Sequence, residues 1–242
     1  MQPSAFADFR LPGRRSFALR LLVATLFLSW APTVASTSAI IIEQGVSGTE
    51  AELCRTAVTL AGTRMGQIFP WLHARSLPRV RFFPSGVPGT AASPWVGGLY
   101  HASDHRIDIQ HVPVLLRQGR LESTVQHEFV HAALALAGSA RLPLWLEEGA
   151  AIYLSSQSLD ETDTSVQPAR TLRELENGLY TFGQSRTHVA WLHLKAYNRQ
   201  ARAIVAALIE RNGLEHFTGF LRTLKNGTHL AQALGSWYSL AP

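Results

Sequence analysis

"TVQHEFVHAALALAG", residues Thr124 to Gly138, sets two histidines four positions apart with a glutamate directly after the first. Val125, Phe129, Ala133 and Leu136 keep one stripe apolar at helical spacing, which predicts an α-helix. Ser123 precedes the stretch and Gln126 follows it by three, the pattern of a capping box, so the helix is expected to start here. On such a helix His127 and His131 leave the same face with their Cβ atoms about 6 Å apart. Two imidazoles held in this way can bind one tetrahedral metal ion. Glu128 sits one position round from that face. It is too close in sequence to be an easy third ligand, but it can reach a water at the metal and take its proton during attack on a carbonyl. Two ligands and a base are the mechanical content of H-E-x-x-H. The bland alternative is an amphipathic helix with polar residues on its wet face, and short motifs recur by accident.

A third ligand would separate the two. A hydrolytic zinc site takes three protein ligands and keeps one open position. After Gly138 the chain passes through "SARLP" into "LWLEEGAAIYL", with Pro143 suited to the first turn of a second helix. Two helices joined by so short a turn pack as neighbours, so a carboxylate of the second can face the histidines of the first. Glu147 and Glu148 both offer themselves. Helical periodicity does not choose between them.

"HEFVH", followed after sixteen residues by "EGAA" within "LPLWLEEGAA", resembles the gluzincin metallopeptidases. It is most similar to the small peptidase MA-like families whose second motif reads P-x-W-L-x-E-G-x-A. Pro143, Trp145, Leu146, Glu148, Gly149 and Ala151 fall on that pattern. The resemblance implies that Glu148 is the third ligand of one Zn²⁺, with His127 and His131, and that Glu128 is the general base of peptide hydrolysis. Glu147 falls on the variable position. The likeness extends over residues 96–235, where "GGLYHASDHRIDIQ" is similar to the family's strand along the rim of the cleft. An extended peptide or protein substrate is expected beside strand 106–110, hydrogen-bonded to its edge. "FGQSRTHVAWL" departs from the family's pattern, with Phe182 where a tyrosine is expected. If that tyrosine steadies the oxyanion, its role here is vacant or taken by Tyr180, Tyr153 or a histidine. This departure sustains a second reading, a non-catalytic zinc-stabilised binding module of the cell envelope. The intact Glu128 argues against it, since a binding module needs no base.

The rest of the chain supplies the frame. "AIIIEQG" reads as a short strand, Thr49 to Phe69 as a helix, and "RVRFF" (79–83) as a strand stopped by Pro84 and Gly86. "LYHASDHRIDIQ" reads as a hairpin turning near Ser103 and Asp104. From Leu121 onward the pattern is helical, with segments expected at 123–137, 144–156, 185–200, 201–212, 214–225 and 228–236, and a polar loop over 157–170. Gly138, Gly213 and Gly227 read as helix stops. The expectation is one α+β domain over residues 40–242, a small mixed or antiparallel sheet followed by a mainly helical half that carries the H-E-x-x-H helix. By the resemblance it is zincin-like. His101, His105 and His111 read as surface or loop histidines, His188 and His193 have no assigned role, and Trp145 and Trp191 read as core.

Composition narrows the class further. Cys54 is the one cysteine, so neither an intramolecular disulfide nor a cysteine-ligated metal is available, and its spacing suits a small buried hydrophobe. The formal charge is +5, of which Arg10, Arg14, Arg15, Arg20 and Asp8 carry +3, leaving +2 for the remainder. The other basic residues are scattered, without the aromatic interleaving of a nucleic-acid surface. The arginines lead into an apolar run, Leu21 to Trp30, then Pro32 and small residues, which is the order of an export signal. Cleavage is expected after Ala35, or as late as Ala39, giving a bacterial periplasmic, envelope or secreted protein with no membrane span in its mature form. "RRSF" resembles a twin-arginine signal in part, and a Sec signal is the alternative. An uncleaved anchor is the competing outcome, since Leu21 to Ile42 carries no charge.

Protein recovered from the cell envelope should therefore have an intact mass that lacks residues 1–35; a mass that includes them would identify an anchor. Replacing Arg14 and Arg15 by lysine should leave a Sec signal working and stop a twin-arginine one.

Overall fold

The structure is a computed structural model that describes residues 39–72, 77–88, 96–157, 166–183, 185 and 187–240. The expected export segment lies outside the described residues. Four strands are present: β1 (Ile40–Ile42), β2 (Arg79–Phe82), β3 (Gly98–His101) and β4 (Arg106–Ile109). They form one mixed sheet in the order β1-β2-β4-β3. β1, β2 and β4 run parallel, and β3 runs antiparallel to β4 as the expected hairpin. Val80, Phe82, Ile107 and Ile109 alternate onto one face and are fully buried. β4 lies inside the sheet, between β2 and β3, so the edge that could receive a peptide belongs to β3 and not to strand 106–110.

Helix α1 (Gly48–Ile68) crosses from β1 to β2. It holds the capping box of this fold: Ser47 Oγ accepts from the Glu50 N–H, and Glu50 Oε2 accepts from the Ser47 N–H at 2.8 Å. Helix α2 (Val112–Arg117) is a short turn after the sheet. The histidine helix, α3, spans Leu121–Leu136 and starts two residues earlier than the sequence suggests. The box expected at Ser123 and Gln126 does not form. Leu121, 5% exposed, seats the first turn in the core, and Ser123 Oγ donates to the Arg120 carbonyl from inside that turn. Gln126 donates to Glu122 Oε1 and accepts from Arg64 of α1, so its amide ties helices together instead of capping one.

Helix α4 (Leu144–Leu154) follows after a short turn, as the spacing predicts, and is apolar nearly all round. Trp145, Leu146, Ala150, Ala151, Ile152 and Leu154 are buried. It packs among α3, α5 (Leu172–Gly183) and α6 (His188–Asn212). The α6 span replaces the two segments expected at 185–200 and 201–212. No Gly or Pro interrupts it, and Ala190, Ala201, Val205 and Leu208 are buried along one stripe. α5 was not expected. Asn177-Gly178 imitates a turn signal, but Gly178 is helical and bare because the Tyr197 ring occupies the place of a Cβ. Helices α7 (Leu214–Lys225) and α8 (Leu230–Tyr238) complete the chain, with Gly213 and Gly227 at positive φ beyond helix ends. The fold is thus the expected α+β arrangement of a small sheet followed by helices. Cys54 is fully buried in α1, as its spacing suggested.

The outer face of the sheet carries a buried carboxylate. Asp108 is 2% exposed and accepts from Arg81 Nε at 2.8 Å, Arg81 Nη2 at 3.1 Å and Arg106 Nε at 3.1 Å, while His101 Nε2 lies 3.0 Å away. Burial by itself would raise the Asp108 pKa; the Arg81 hydrogen bonds and the charges of Arg81, Arg106 and His101 overturn that and hold it below its ordinary value. This cluster ties β2, β4 and β3 together from outside. Asp108→Ala should cost about 1.5–3 kcal/mol by urea denaturation near neutral pH, because it removes the charged hydrogen bonds of Arg81 and Arg106. A lowered folded pKa stabilises above the unfolded carboxylate pKa and is lost as pH falls through the folded one. The gap between wild type and variant should therefore close below about pH 4.

Candidate metal centre

α3 places His127 and His131 one turn apart on the side facing α4, with ring centroids 4.9 Å apart. Their Nε2 atoms face each other at 3.1 Å. Glu148 of α4 completes the group, with Oε2 3.6 Å from His127 Nε2 and Oε1 3.7 Å from His131 Nε2. Donors bonded to one tetrahedral zinc at roughly 2.0–2.1 Å stand about 3.3–3.4 Å from one another. The three separations bracket that value, so these residues fit a single ion. Among the described residues, His127, His131 and Glu148 form the one group of three able to hold a metal.

The position of Glu148 depends on its neighbour. A Cβ on Gly149 would stand 2.5 Å from the Ala201 carbonyl oxygen and 2.9 Å from Val205 Cγ2. Only glycine lets α4 cross α6 this closely, and the crossing sets the rotation of α4 that turns Glu148 to the histidines. Glu176 of α5 fixes the other end: its carboxylate accepts from the N–H groups of Leu144 and Trp145 at 2.8 and 3.1 Å, where Pro143 cannot cap with a side chain. The sequence offered no sign of Glu176, because its partner helix is distant in the chain.

Glu147 points to the other side of His131. Its Oε1 lies 3.3 Å from His131 Nδ1. A carboxylate there keeps the proton on Nδ1 and leaves the Nε2 lone pair for a metal. His127 is supported differently, by the hydrogen-bonding side chain of Gln157. Three carboxylates therefore act on His131. Burial would lower its pKa, but the Glu147 hydrogen bond and the charges of Glu148, Glu128 and Glu147 push it up to about 9. His127 moves the opposite way, held well below its ordinary value by burial and by the charge of His131. The surroundings draw a positive charge between the rings, whether proton or metal.

Glu128 is 6% exposed, and burial, helped by the charge of Glu148, pushes its pKa up to about 7 against the opposing pull of His131 and the Tyr100 N–H. It lies against β3 and, as its place on α3 suggested, is not one of the three ligand residues. The hairpin histidines take local partners: His101 joins the Asp108 cluster, and His105 Nδ1 meets the Tyr100 hydroxyl at 2.8 Å. Phe182 stacks on His193 at 4.5 Å, and Tyr180 is 65% exposed. Trp145 is core, as expected. No described helix is long and apolar enough to cross a membrane.

Comparison with protein-family models, with curated proteins and with solved structures finds no match to this chain. The case for the site rests on its own geometry.

After loading with added zinc, Glu148→Ala should release the ion far more readily than Glu147→Ala during dialysis against a graded chelator. Loss of a histidine's hydrogen-bond partner typically costs about 10- to 100-fold in metal affinity, and loss of a ligand costs more. Equal retention by both would remove Glu148 from the ligand set, and the reverse order would give its place to Glu147.

Proposed function

We propose that this chain is a zinc-dependent metallopeptidase of gluzincin type, exported to the bacterial periplasm or cell envelope, with a zincin-like domain over residues 40–242. One observation carries the reading. His127, His131 and Glu148 converge at ligand spacing, and beside them stands the buried carboxyl of Glu128. Two imidazoles and one carboxylate form a nitrogen-rich set that suits zinc better than magnesium. When bound, zinc supplies Lewis acidity there, polarising a peptide carbonyl and bringing the acidity of water to a pKa of roughly 7.

The chain's own residues do the rest. Glu128 takes a proton from the water that attacks the carbonyl carbon and passes it to the leaving amine as the C–N bond breaks. Glu147 orients His131 through Nδ1. An extended peptide pairs with the outer edge of β3, beside the Tyr100 N–H that Glu128 accepts.

A non-catalytic zinc-stabilised binding module is the competing reading, supported by Phe182, whose ring stacks on His193 where relatives would carry a tyrosine. Such a module would have no use for a buried carboxyl beside the metal ligands.

Purified protein should hydrolyse members of a mixed peptide library and stop when a chelator is added. Glu128→Gln should keep its zinc and lose about 10²- to 10⁴-fold in rate, since the amide keeps the shape but accepts no proton. A variant as fast as wild type would defeat the proposed mechanism. Zinc bound by both proteins with no hydrolysis by either would favour the binding module.

A further inference from the structure

We infer that Gly98 is the positioning residue for Glu128: β3 can hold the glutamate in place because position 98 carries no side chain. The name "base" rests on the metallopeptidase reading, whereas the contact itself does not. Glu128 lies against the inner face of β3, the face shared by Gly98 and Tyr100. A Cβ built on Gly98 would stand 2.7 Å from Glu128 Cγ, 2.8 Å from Oε1 and 3.0 Å from Cδ. Side-chain carbons do not approach other atoms so closely, so one partner would have to move. Two residues along the same face, the Tyr100 N–H hydrogen-bonds the Glu128 carboxylate. The strand therefore touches this side chain twice, once with a donor and once with bare backbone.

Glu128 is the partner that would yield. β3 is an edge strand, but it is fastened on three sides. Gly98 pairs with Ile109, and Gln110 N–H donates to the Gly97 carbonyl at 2.9 Å. Gly97 itself leaves its would-be Cβ only 3.2 Å from Leu115 Cδ2 and 3.3 Å from Thr124 Cγ2, so the strand is close against α2 and α3. His101 binds the outer face to Asp108. The glutamate, 6% exposed, has no open space on the strand side and would swing towards the histidines. The same strand offers the edge proposed for the substrate. One backbone segment then sets both the base and the peptide, and a small displacement of either separates them. Misplacement by about 1 Å typically costs 10²-fold in rate.

The test is a double-mutant cycle on the purified full chain: wild type, Gly98→Ala, Glu128→Ala and the pair, read by thermal midpoint and by zinc content. Gly98→Ala should lower the midpoint by about 5 °C with Glu128 present, the effect of overpacking a filled site. The penalty should vanish in the Glu128→Ala background, where Cγ, Cδ and Oε1 are gone. Zinc content should match wild type in all four. On a peptide chosen from the library, Gly98→Ala should lower kcat by about 10²-fold with KM little changed. If Gly98→Ala fails to fold, folding of the pair supports the contact and failure of both overturns it. An equal penalty in both backgrounds, or loss of zinc from Gly98→Ala, also overturns it. A wild type that cleaves no peptide would sink the metallopeptidase reading alone, and the midpoint cycle would still decide the contact.

Discussion

Two imidazoles ringed by three carboxylates, mostly out of water, are the constraint around which this molecule is built. Isolated charges are costly to bury, and here Glu128, Glu147 and Glu148 all act on one imidazole, that of His131. The cost is met by placing positive charge between them, on His131 as a proton or between both rings as a metal. The same field divides the glutamates by role. Glu147 stays ionised against His131 Nδ1. Glu128, deeper and next to Glu148, is pushed towards neutrality. Like groups acquire unlike chemistry from position alone.

Holding such a cluster requires rigid walls at very short range, and the walls are backbone. α4 meets α6 across bare Gly149, and β3 meets Glu128 across bare Gly98. A third case lies at the turn after α3, where a Cβ on Gly138 would run into the Lys225 backbone of α7, whose carbonyl accepts from the Ala140 N–H at 3.1 Å. Each glycine serves close approach, which lets helices and a strand lie nearer than side chains would allow. The charged cluster on the far face of the sheet does complementary work, since Asp108 gathers Arg81, Arg106 and His101 and so pins the strand that bounds the site.

Much of this was legible in the chain. The i,i+4 histidines, the short turn to α4, the burial of Trp145 and Cys54 and the hairpin all follow from local periodicity and turn chemistry. Periodicity failed where a local signal had a distant cause. Ser123 and Gln126 have the spelling of a capping box, yet Leu121 had already drawn the helix into the core and Arg64 had claimed the glutamine. Asn177-Gly178 spells a turn, yet the glycine makes room for Tyr197. Strand 106–110 looked like an edge because strand order is a property of pairing, and pairing is not written in either strand.

By itself the sequence determined two imidazoles on one helical face, a carboxylate beside them, and two candidate carboxylates on the next helix. Those follow from the 3.6-residue period and the length of a turn. It could not choose between Glu147 and Glu148 without the resemblance, because neighbours on a helix differ by about 100° and either can face inward until the helix is rotated. Tertiary structure made the choice. The Gly149–Ala201 crossing and the Glu176 cap set that rotation, bringing Glu148 to the Nε2 atoms and Glu147 to the back of His131. Gly149 is adjacent, but its partner Ala201 and the capping Glu176 lie 53 (201 − 148) and 28 (176 − 148) positions from Glu148, beyond the reach of any local pattern.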